Sequence, residues 1–148
     1  MAEERGRVLV VDDEESVRDL LQRILEGAAY NVVTAADGQE TLDKMSELDI
    51  EVVLLDIKMP GMSGIEVLQQ LTAYYPDICV IMVTAIDDAQ TAVETMKLGA
   101  YDYIIKPLNP AETVLTVQRA IEKRDLWLEN KRHRVNLEKR ISEQAKQL

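Results

Sequence analysis

The chain has 148 residues, 47% of them hydrophobic and 4% aromatic, so it is long enough to bury one core and to carry an appendage. Its net charge of −10 is unevenly distributed, since residues 1–124 carry −12 and residues 125–148 carry +2. The acidic body argues against a nucleic-acid surface there, and the 24-residue tail is too short for a helix-turn-helix domain. No apolar run approaches the roughly 18 residues of a membrane span, and the start MAEERGR has no apolar signal core, so we expect a cytoplasmic protein without direct nucleic acid or membrane binding.

Strand and helix patterns alternate along the body. Short apolar runs bounded by turn residues predict five strands, at 7–11, 31–34, 52–55, 79–83 and 102–105. Capping residues and Gly or Pro stops predict helices that end near 26 and 48, and helices at 64–74 and 89–98. A last helix begins at Asn109-Pro110 and meets no Gly or Pro from 111 to 148.

This alternation predicts an α/β fold. The run 52–55 is continuously apolar, which indicates a strand buried on both faces of a parallel sheet. Parallel neighbours need right-handed helical crossovers, so we expect a doubly wound five-stranded parallel sheet, flavodoxin-like in the order 2-1-3-4-5, with a long C-terminal helix. The chain then divides into a body, residues 1–124, and a helical extension, residues 125–148.

Carboxylates follow two of the predicted strands at the edge where such a sheet binds ligands. In the order 2-1-3-4-5 the winding reverses between strands 1 and 3. Asp12 and Asp13 follow strand 1, and Asp56 follows strand 3. The adjoining strand ends supply Thr84 and Lys106. Crowded carboxylates repel by roughly 4 kcal/mol per close pair at an effective dielectric near 20, so we expect a divalent cation, Mg²⁺ with Mn²⁺ as a substitute.

These residues, in this order, resemble the receiver domain of two-component response regulators. The resemblance covers residues 7–124 and rests on four motifs: Asp12-Asp13, Asp56 before Met59-Pro60-Gly61, Thr84-Ala85 and Lys106-Pro107. It implies a signalling phosphoacceptor, not an enzyme with a separate substrate. It also implies a histidine kinase or phosphotransfer protein as the donor partner, and an output domain or effector downstream.

The resemblance implies a role for each residue of the site. Asp56 would accept the phosphoryl group and contribute to the metal site, in a reaction that depends on positioning and charge neutralisation. Asp13 would bind Mg²⁺ directly and Asp12 largely through water, with the backbone carbonyl of Lys58 as a further ligand. Lys106 would pair with Asp56 and then with a phosphoryl oxygen, and its peptide bond to the following proline would be cis.

The resemblance also implies a conformational switch. Thr84 would donate its hydroxyl to the phosphoryl group, and Tyr103 would then turn inward. The face formed by residues 89–98 and 101–119 would change and carry the signal. Ala85 would leave room for the phosphoryl group, while the bulky Ile86 would hinder an attacking water.

A seven-residue pattern in the last helix predicts association. Apolar residues recur every seventh position at Val114, Ile121, Leu128 and Val135, with Val117 in the intermediate slot. The apolar set then shifts to Leu137, Ile141 and Leu148, as a stutter would produce. The pattern favours a parallel homodimer through a two-stranded coiled coil over a solvated single helix. The extension also resembles helical linkers that join receivers to output domains, which would lie outside these 148 residues.

Two other functions fit parts of the pattern. A hydrolase of the haloacid dehalogenase kind also uses a strand-end aspartate and Mg²⁺. Its acid/base aspartate sits two residues after the nucleophile, where this chain has Lys58. A degenerate receiver that acts only as an interaction module would not need the acceptor set. Taken alone, Asp12 and Asp13 would instead be acids that suit a helix N-terminus.

Overall fold

A computed structural model describes residues 6–147 and contains one five-stranded sheet. The strands are β1 Arg7–Val11, β2 Asn31–Ala35, β3 Val52–Asp56, β4 Cys79–Thr84 and β5 Asp102–Ile105. The helices are α1 Glu15–Gly27, α2 Gly38–Glu47, α3 Gly64–Tyr74, α4 Ala89–Lys97 and α5 Pro110–Gln147, with a short 3-10 turn at Ile86–Asp88 before α4. All neighbouring strands are parallel, in the order β2-β1-β3-β4-β5, which confirms the predicted fold.

The central strand β3 is buried along its whole length, as its continuous apolar run predicts. Successive side chains point to opposite faces of the sheet. Val53 and Leu55 join a core layer that includes residues of α2, α3 and α4. Val52 and Leu54 join a second layer with residues of α1 and α5. The two layers hold β1, β3 and β4 rigidly, so the residues at their carboxyl ends are well positioned.

Three strands run one residue further than the sequence patterns predict. Ala35, Asp56 and Thr84 belong to β2, β3 and β4, because the parallel ladder continues through them. Asp56 pairs with Val83, and Thr84 pairs with Ile105. Asp56 and Thr84 are therefore held by the sheet itself and not by the loops that follow it.

The predicted helix caps are present at three helices. Asp37, Ser63 and Asn109 each accept a hydrogen bond from the backbone N–H three residues later, at 2.8, 3.3 and 3.0 Å. Gly64 lets α3 begin directly against β3, because a Cβ there would overlap the backbone of Asp56 and Ile57. The close start of α3 keeps the loop after Asp56 short and fixed.

The first half of α5 belongs to the core, which corrects part of the coiled-coil prediction. Val117 and Ile121 are 0% and 8% exposed and pack in the second core layer with Val114 beside them. These three residues cannot also form a dimer seam. The apolar residues that remain exposed further along the helix are Leu126, Trp127, Val135, Leu137 and Ile141, while Leu148 lies outside the described residues.

The extension continues α5 past the base of the sheet, and two ion pairs, one just before the extension and one within it, join α5 to that base. Arg124 Nη1 lies 3.8 Å from Glu51 Oε2, and Lys131 Nζ lies 3.6 Å from Asp77 Oδ1. The base is the end of the sheet opposite to Asp56, because α5 starts after the carboxyl end of β5 and runs back along the strands. Among residues 6–147, no helix has the length and apolar character needed to cross a bilayer.

Candidate functional site

Three carboxylates meet at the carboxyl ends of β1 and β3. Asp12, Asp13 and Asp56 each offer one oxygen, and these oxygens all lie within 4.8 Å of one another. Asp12 and Asp56 are buried, whereas Asp13 is exposed. β1 and β3 are hydrogen-bonded parallel neighbours, which is why residues 44 positions apart in the sequence converge here.

Asp12 is held by contacts on both oxygens of its carboxylate. Its Oδ1 accepts a hydrogen bond from the backbone N–H of Glu14 at 2.9 Å, and its Oδ2 accepts one from Lys106 Nζ at 3.2 Å. Its backbone carbonyl accepts a further bond from Arg18 Nη1 at 2.7 Å. Asp12 is therefore fixed within the protein, and the exposed Asp13 is the carboxylate of β1 that faces solvent.

Asp56 carries a strongly perturbed carboxyl group. Burial, and next the negative charge of Asp12, raise the pKa of Asp56 from 3.8 to about 7. Lys106 and a hydrogen bond from the backbone N–H of Lys58 oppose this rise, while Asp13 adds to it. Lys106 and the backbone N–H of Lys58 together lower the pKa of Asp56 by less than burial and the neighbouring acids raise it. The site thus has an unmet demand for positive charge beside Asp56.

Lys106 lies between the two buried acids. Burial by itself would lower the pKa of Lys106, but Asp56 and Asp12 together hold it above its ordinary value. Its Nζ is 3.2 Å from Asp12 Oδ2 and 3.8 Å from Asp56 Oδ1. The resemblance implies Asp56 as the partner of Lys106, and the structure adds Asp12 as the nearer one. The peptide bond from Lys106 to Pro107 is cis, as the resemblance implies.

Thr84 and Tyr103 lie on adjacent strands. Thr84 is 1% exposed, and its Oγ1 donates to the carbonyl of Ala85 at 3.2 Å. Tyr103 is half-buried on β5 and packs against the first core layer. Ala85 and Ile86 follow Thr84 at the surface, and Ile86 is 75% exposed. The hydroxyl of Thr84 is thus engaged by the carbonyl of the next residue in the chain.

One contact of this region has no signal in the sequence. Lys58 Nζ lies 3.1 Å from Asp88 Oδ2, and the hydrogen bond and charge of Asp88 raise the pKa of Lys58. The two residues are 30 positions apart and belong to different loops. The side chain of Lys58 is thus occupied by Asp88, which leaves its backbone as the part that faces Asp56.

The donor set fits a small hard cation. Mg²⁺ prefers oxygen ligands at about 2.0–2.1 Å in an octahedron, so opposite ligands lie about 4.2 Å apart. Asp12, Asp13 and Asp56 offer carboxylate oxygens within 4.8 Å of one another, and Asp13 is exposed. The raised pKa of Asp56 agrees with this, because a nearby cation would stabilise the ionised carboxylate that burial and Asp12 destabilise.

Comparisons with known proteins agree on one family. The family described as "Response regulator receiver domain" matches residues 8–118, well over half of the chain. The chain is 42% identical over 118 residues to the DNA-binding transcriptional regulator NtrC of Escherichia coli strain K12, which covers 80% of this chain and 25% of that protein. It is 41% identical over 121 residues to the transcriptional regulatory protein ZraR of Klebsiella oxytoca, covering 82% and 27%.

A solved structure shows the same fold. The crystal structure of the receiver domain of NtrX from Brucella abortus matches 78% of this chain and 98% of that chain, with a TM-score of 0.76 and 33% sequence identity. The chain spans only about a quarter of the length of the curated relatives that it matches. The family match, residues 8–118, spans the carboxylate site of this chain.

Proposed function

The chain belongs to the response regulator receiver domain family, and on that basis we propose that Asp56 accepts a phosphoryl group from a histidine kinase or a phosphotransfer protein. The observation that carries the proposal is the meeting of three carboxylates within 4.8 Å beside Lys106. The family assigns the chain to two-component signalling. The choice of Asp56 rests on its position, since it is the buried acid at the end of the central strand.

The reaction transfers one phosphoryl group. An oxygen of Asp56 attacks the phosphorus in line, the P–N bond of the donor phosphohistidine breaks, and the imidazole leaves with the bonding electron pair. Asp13, Asp56 and the backbone carbonyl of Lys58 would hold Mg²⁺, or Mn²⁺ as a substitute, with Asp12 acting through water. The cation would supply the charge neutralisation that the crowded acids require. Lys106 then donates to one phosphoryl oxygen.

Phosphorylation changes the partner of Thr84. We propose that its hydroxyl leaves the carbonyl of Ala85 and donates to the phosphoryl group, and that Tyr103 turns inward as the 3-10 turn and α4 shift. The face formed by residues 89–98 and 101–119 then favours an output domain or effector that binds this second arrangement. The two arrangements differ in a few contacts and not in the fold.

The hydrolase alternative is not favoured. The position that would carry its acid/base aspartate holds Lys58, whose side chain is paired with Asp88. We propose that the only turnover is the slow hydrolysis of the chain's own phosphoaspartate. Whether the chain is instead an interaction module is tested by treating it with acetyl phosphate and Mg²⁺ and weighing it intact. One added phosphoryl group supports the proposal, and an unchanged mass contradicts it.

The lifetime of the phosphoaspartate is expected to depend on Ile86. Its bulky apolar side chain is 75% exposed two residues after Thr84, and we propose that it hinders an attacking water. We expect Ile86→Ala to shorten the lifetime a few-fold, measured as loss of the added mass after removal of the donor. Leu98→Ala, at an exposed apolar residue that follows α4, is the matched control. An equal decay in parent and Ile86→Ala would refute the role of Ile86.

The extension is expected to form a parallel coiled-coil dimer and to link the receiver, residues 1–124, to an output domain. Because Val117 and Ile121 are in the core, we place the seam after them, starting from Leu128 and Val135. Exposed apolar groups on a helix favour association. Sedimentation at tens of micromolar should give a dimer for the intact chain and a monomer for a chain that ends at Arg124, which keeps the core part of α5. Two monomers, with and without phosphodonor, would refute the dimer.

A further inference from the structure

An ion pair joins the two loops on either side of the phosphorylation site. Lys58 lies between β3 and α3, two residues after Asp56, and Asp88 ends the 3-10 turn between β4 and α4. Their charged atoms are 3.1 Å apart. The side chain of Lys58 is 71% exposed and that of Asp88 is 17% exposed. The carboxylate is thus largely covered, and the pair connects the loop that follows the acceptor Asp56 to the segment that carries Ala85 and Ile86.

Asp88 makes this contact instead of capping α4. It occupies the N-cap position of α4, but its side chain makes no capping hydrogen bond. Asp37 and Asn109 occupy the same position in α2 and α5, and both accept a bond from the backbone N–H three residues later. Asp is among the preferred N-cap residues. The carboxylate of Asp88 is therefore committed to the contact across the two loops and not to α4.

The loop that Asp88 holds is the loop that the proposed switch must move. Thr84 donates to the carbonyl of Ala85 at 3.2 Å, and the backbone N–H of Asp88 donates to the same carbonyl at 3.0 Å. For the hydroxyl of Thr84 to reach a phosphoryl group on Asp56, these contacts around Ala85 must rearrange. The ion pair to Lys58 favours the present position of Asp88 and of the turn that it ends.

We infer that Asp88 is a positioning residue that, through its ion pair with Lys58, holds the β4–α4 loop in the unphosphorylated arrangement and so opposes phosphoryl binding. The inference rests on the proposed function and identifies a contact that regulates phosphoryl binding at Asp56. The ion pair shifts the equilibrium toward the unphosphorylated arrangement by some factor. A ligand that favours the phosphorylated arrangement then binds more weakly by the same factor. Exposed ion pairs contribute modestly, so this factor is roughly two to five.

The test measures the binding of beryllofluoride, a phosphoryl mimic that does not transfer, to the intact chain by calorimetry at saturating Mg²⁺. Asp88→Asn removes the charge and retains an equally good N-cap residue. We expect its dissociation constant to be roughly two to five times lower than that of the parent. Asp87→Asn is the matched control, because Asp87 is exposed, lies in the same turn and makes no ion pair with any residue that the structure describes. It should bind as the parent does.

A second variant separates the ion pair from a general effect of charge. In a Lys58→Met background, Asp88→Asn should bring no further gain, since the contact is already lost. The gain should also shrink at high salt, where exposed charges are screened. Equal affinities of parent and Asp88→Asn would overturn the inference. A gain that Asp87→Asn shares, or that persists in the Lys58→Met background, would also overturn it.

The same titration keeps the two proposals apart. If the parent binds beryllofluoride and Asp56→Asn does not, the proposed function stands, and Asp88→Asn alone decides the inference. If the parent itself fails to bind, the acceptor role of Asp56 and the inference that depends on it both fall. A fall in the melting temperature of Asp88→Asn without a change in affinity would assign the ion pair a purely structural role and overturn the inference.

Discussion

Asp56→Asn is expected to abolish labelling by acetyl phosphate or by a phosphorylated histidine kinase. Asn keeps the shape of the side chain and its contact with the backbone N–H of Lys58, but it offers no anionic oxygen to attack phosphorus. The loss should be complete, because the other two acids are placed differently: Asp12 is bonded on both oxygens, and Asp13 is exposed. Intact mass before and after incubation with Mg²⁺ and the donor measures it.

Asp12→Asn and Asp43→Asn serve as controls for this experiment. Asp12→Asn should slow labelling without changing its location, and Asp43→Asn, in α2, should label as the parent does. Peptide mapping of the labelled parent should place the group on the peptide that contains Asp56. Labelling of Asp56→Asn to the extent of the parent would show that another residue is the acceptor.

Asp56→Asn should also reveal by how much the ionised carboxylate of Asp56 lowers the free energy of unfolding. The pKa of Asp56 is raised from 3.8 to about 7, and each unit corresponds to 1.36 kcal/mol, so the ionised group opposes folding by on the order of 4 kcal/mol. Between these two pKa values the folded chain binds more protons than the unfolded chain. The free energy of unfolding therefore falls as pH rises from about 4 to about 7, and the loss is complete above about 7.

Asp56→Asn carries no ionisable group at this position. In EDTA it should therefore have a higher free energy of unfolding than the parent at pH 8, and this advantage should be much smaller at pH 5. Urea denaturation at the two pH values measures the difference between variant and parent, in which the titration of other groups cancels. A difference that does not change with pH would show that the carboxyl of Asp56 is not perturbed in the folded chain.

Removal of the metal site should have the second largest effect. Asp13→Ala is expected to slow labelling about 100-fold or more and to remove its dependence on Mg²⁺ concentration. Without that carboxylate, the acceptor and the incoming phosphoryl group face each other with little to neutralise their charge. Because Asp13 is exposed, its loss should leave the fold intact, as circular dichroism and the urea midpoint would report.

Glu15→Ala is the matched control for Asp13→Ala. Glu15 is an exposed acid in the first turn of α1, two residues further along, and it lies outside the carboxylate site. Its variant should label with the rate and the Mg²⁺ dependence of the parent. If Asp13→Ala labelled as fast as Glu15→Ala over a Mg²⁺ titration, Asp13 would not be a metal ligand in this protein.

Most of the fold was predictable because the signals that set it are local. Apolar runs without alternation mark strands buried on both faces, and caps such as Asp37 and Ser63 mark where helices begin. The alternation of strands and helices then predicts that the strands are parallel. The main error in the strands was one residue at their ends, since Asp56 and Thr84 are polar but continue the ladder.

The last helix shows where local signals stop being sufficient. Its seven-residue apolar repeat includes Val117 and Ile121. Such residues can pack either in the seam of a dimer or against a sheet. The structure places these two residues in the core, next to α1 and the sheet. One helix face can be buried only once, so the tertiary contact removes these residues from any association.

The sequence by itself determined which groups gather at one end of the sheet. Parallel strands bring their carboxyl ends to the same edge, so Asp12, Asp13, Asp56, Thr84 and Lys106 had to meet once the order was known. Only the tertiary structure decided how they pair. Lys106 lies nearer to Asp12 than to Asp56, and Lys58 turns to Asp88 across two loops. Such pairings depend on how side chains far apart in sequence pack against one another, which no local pattern encodes.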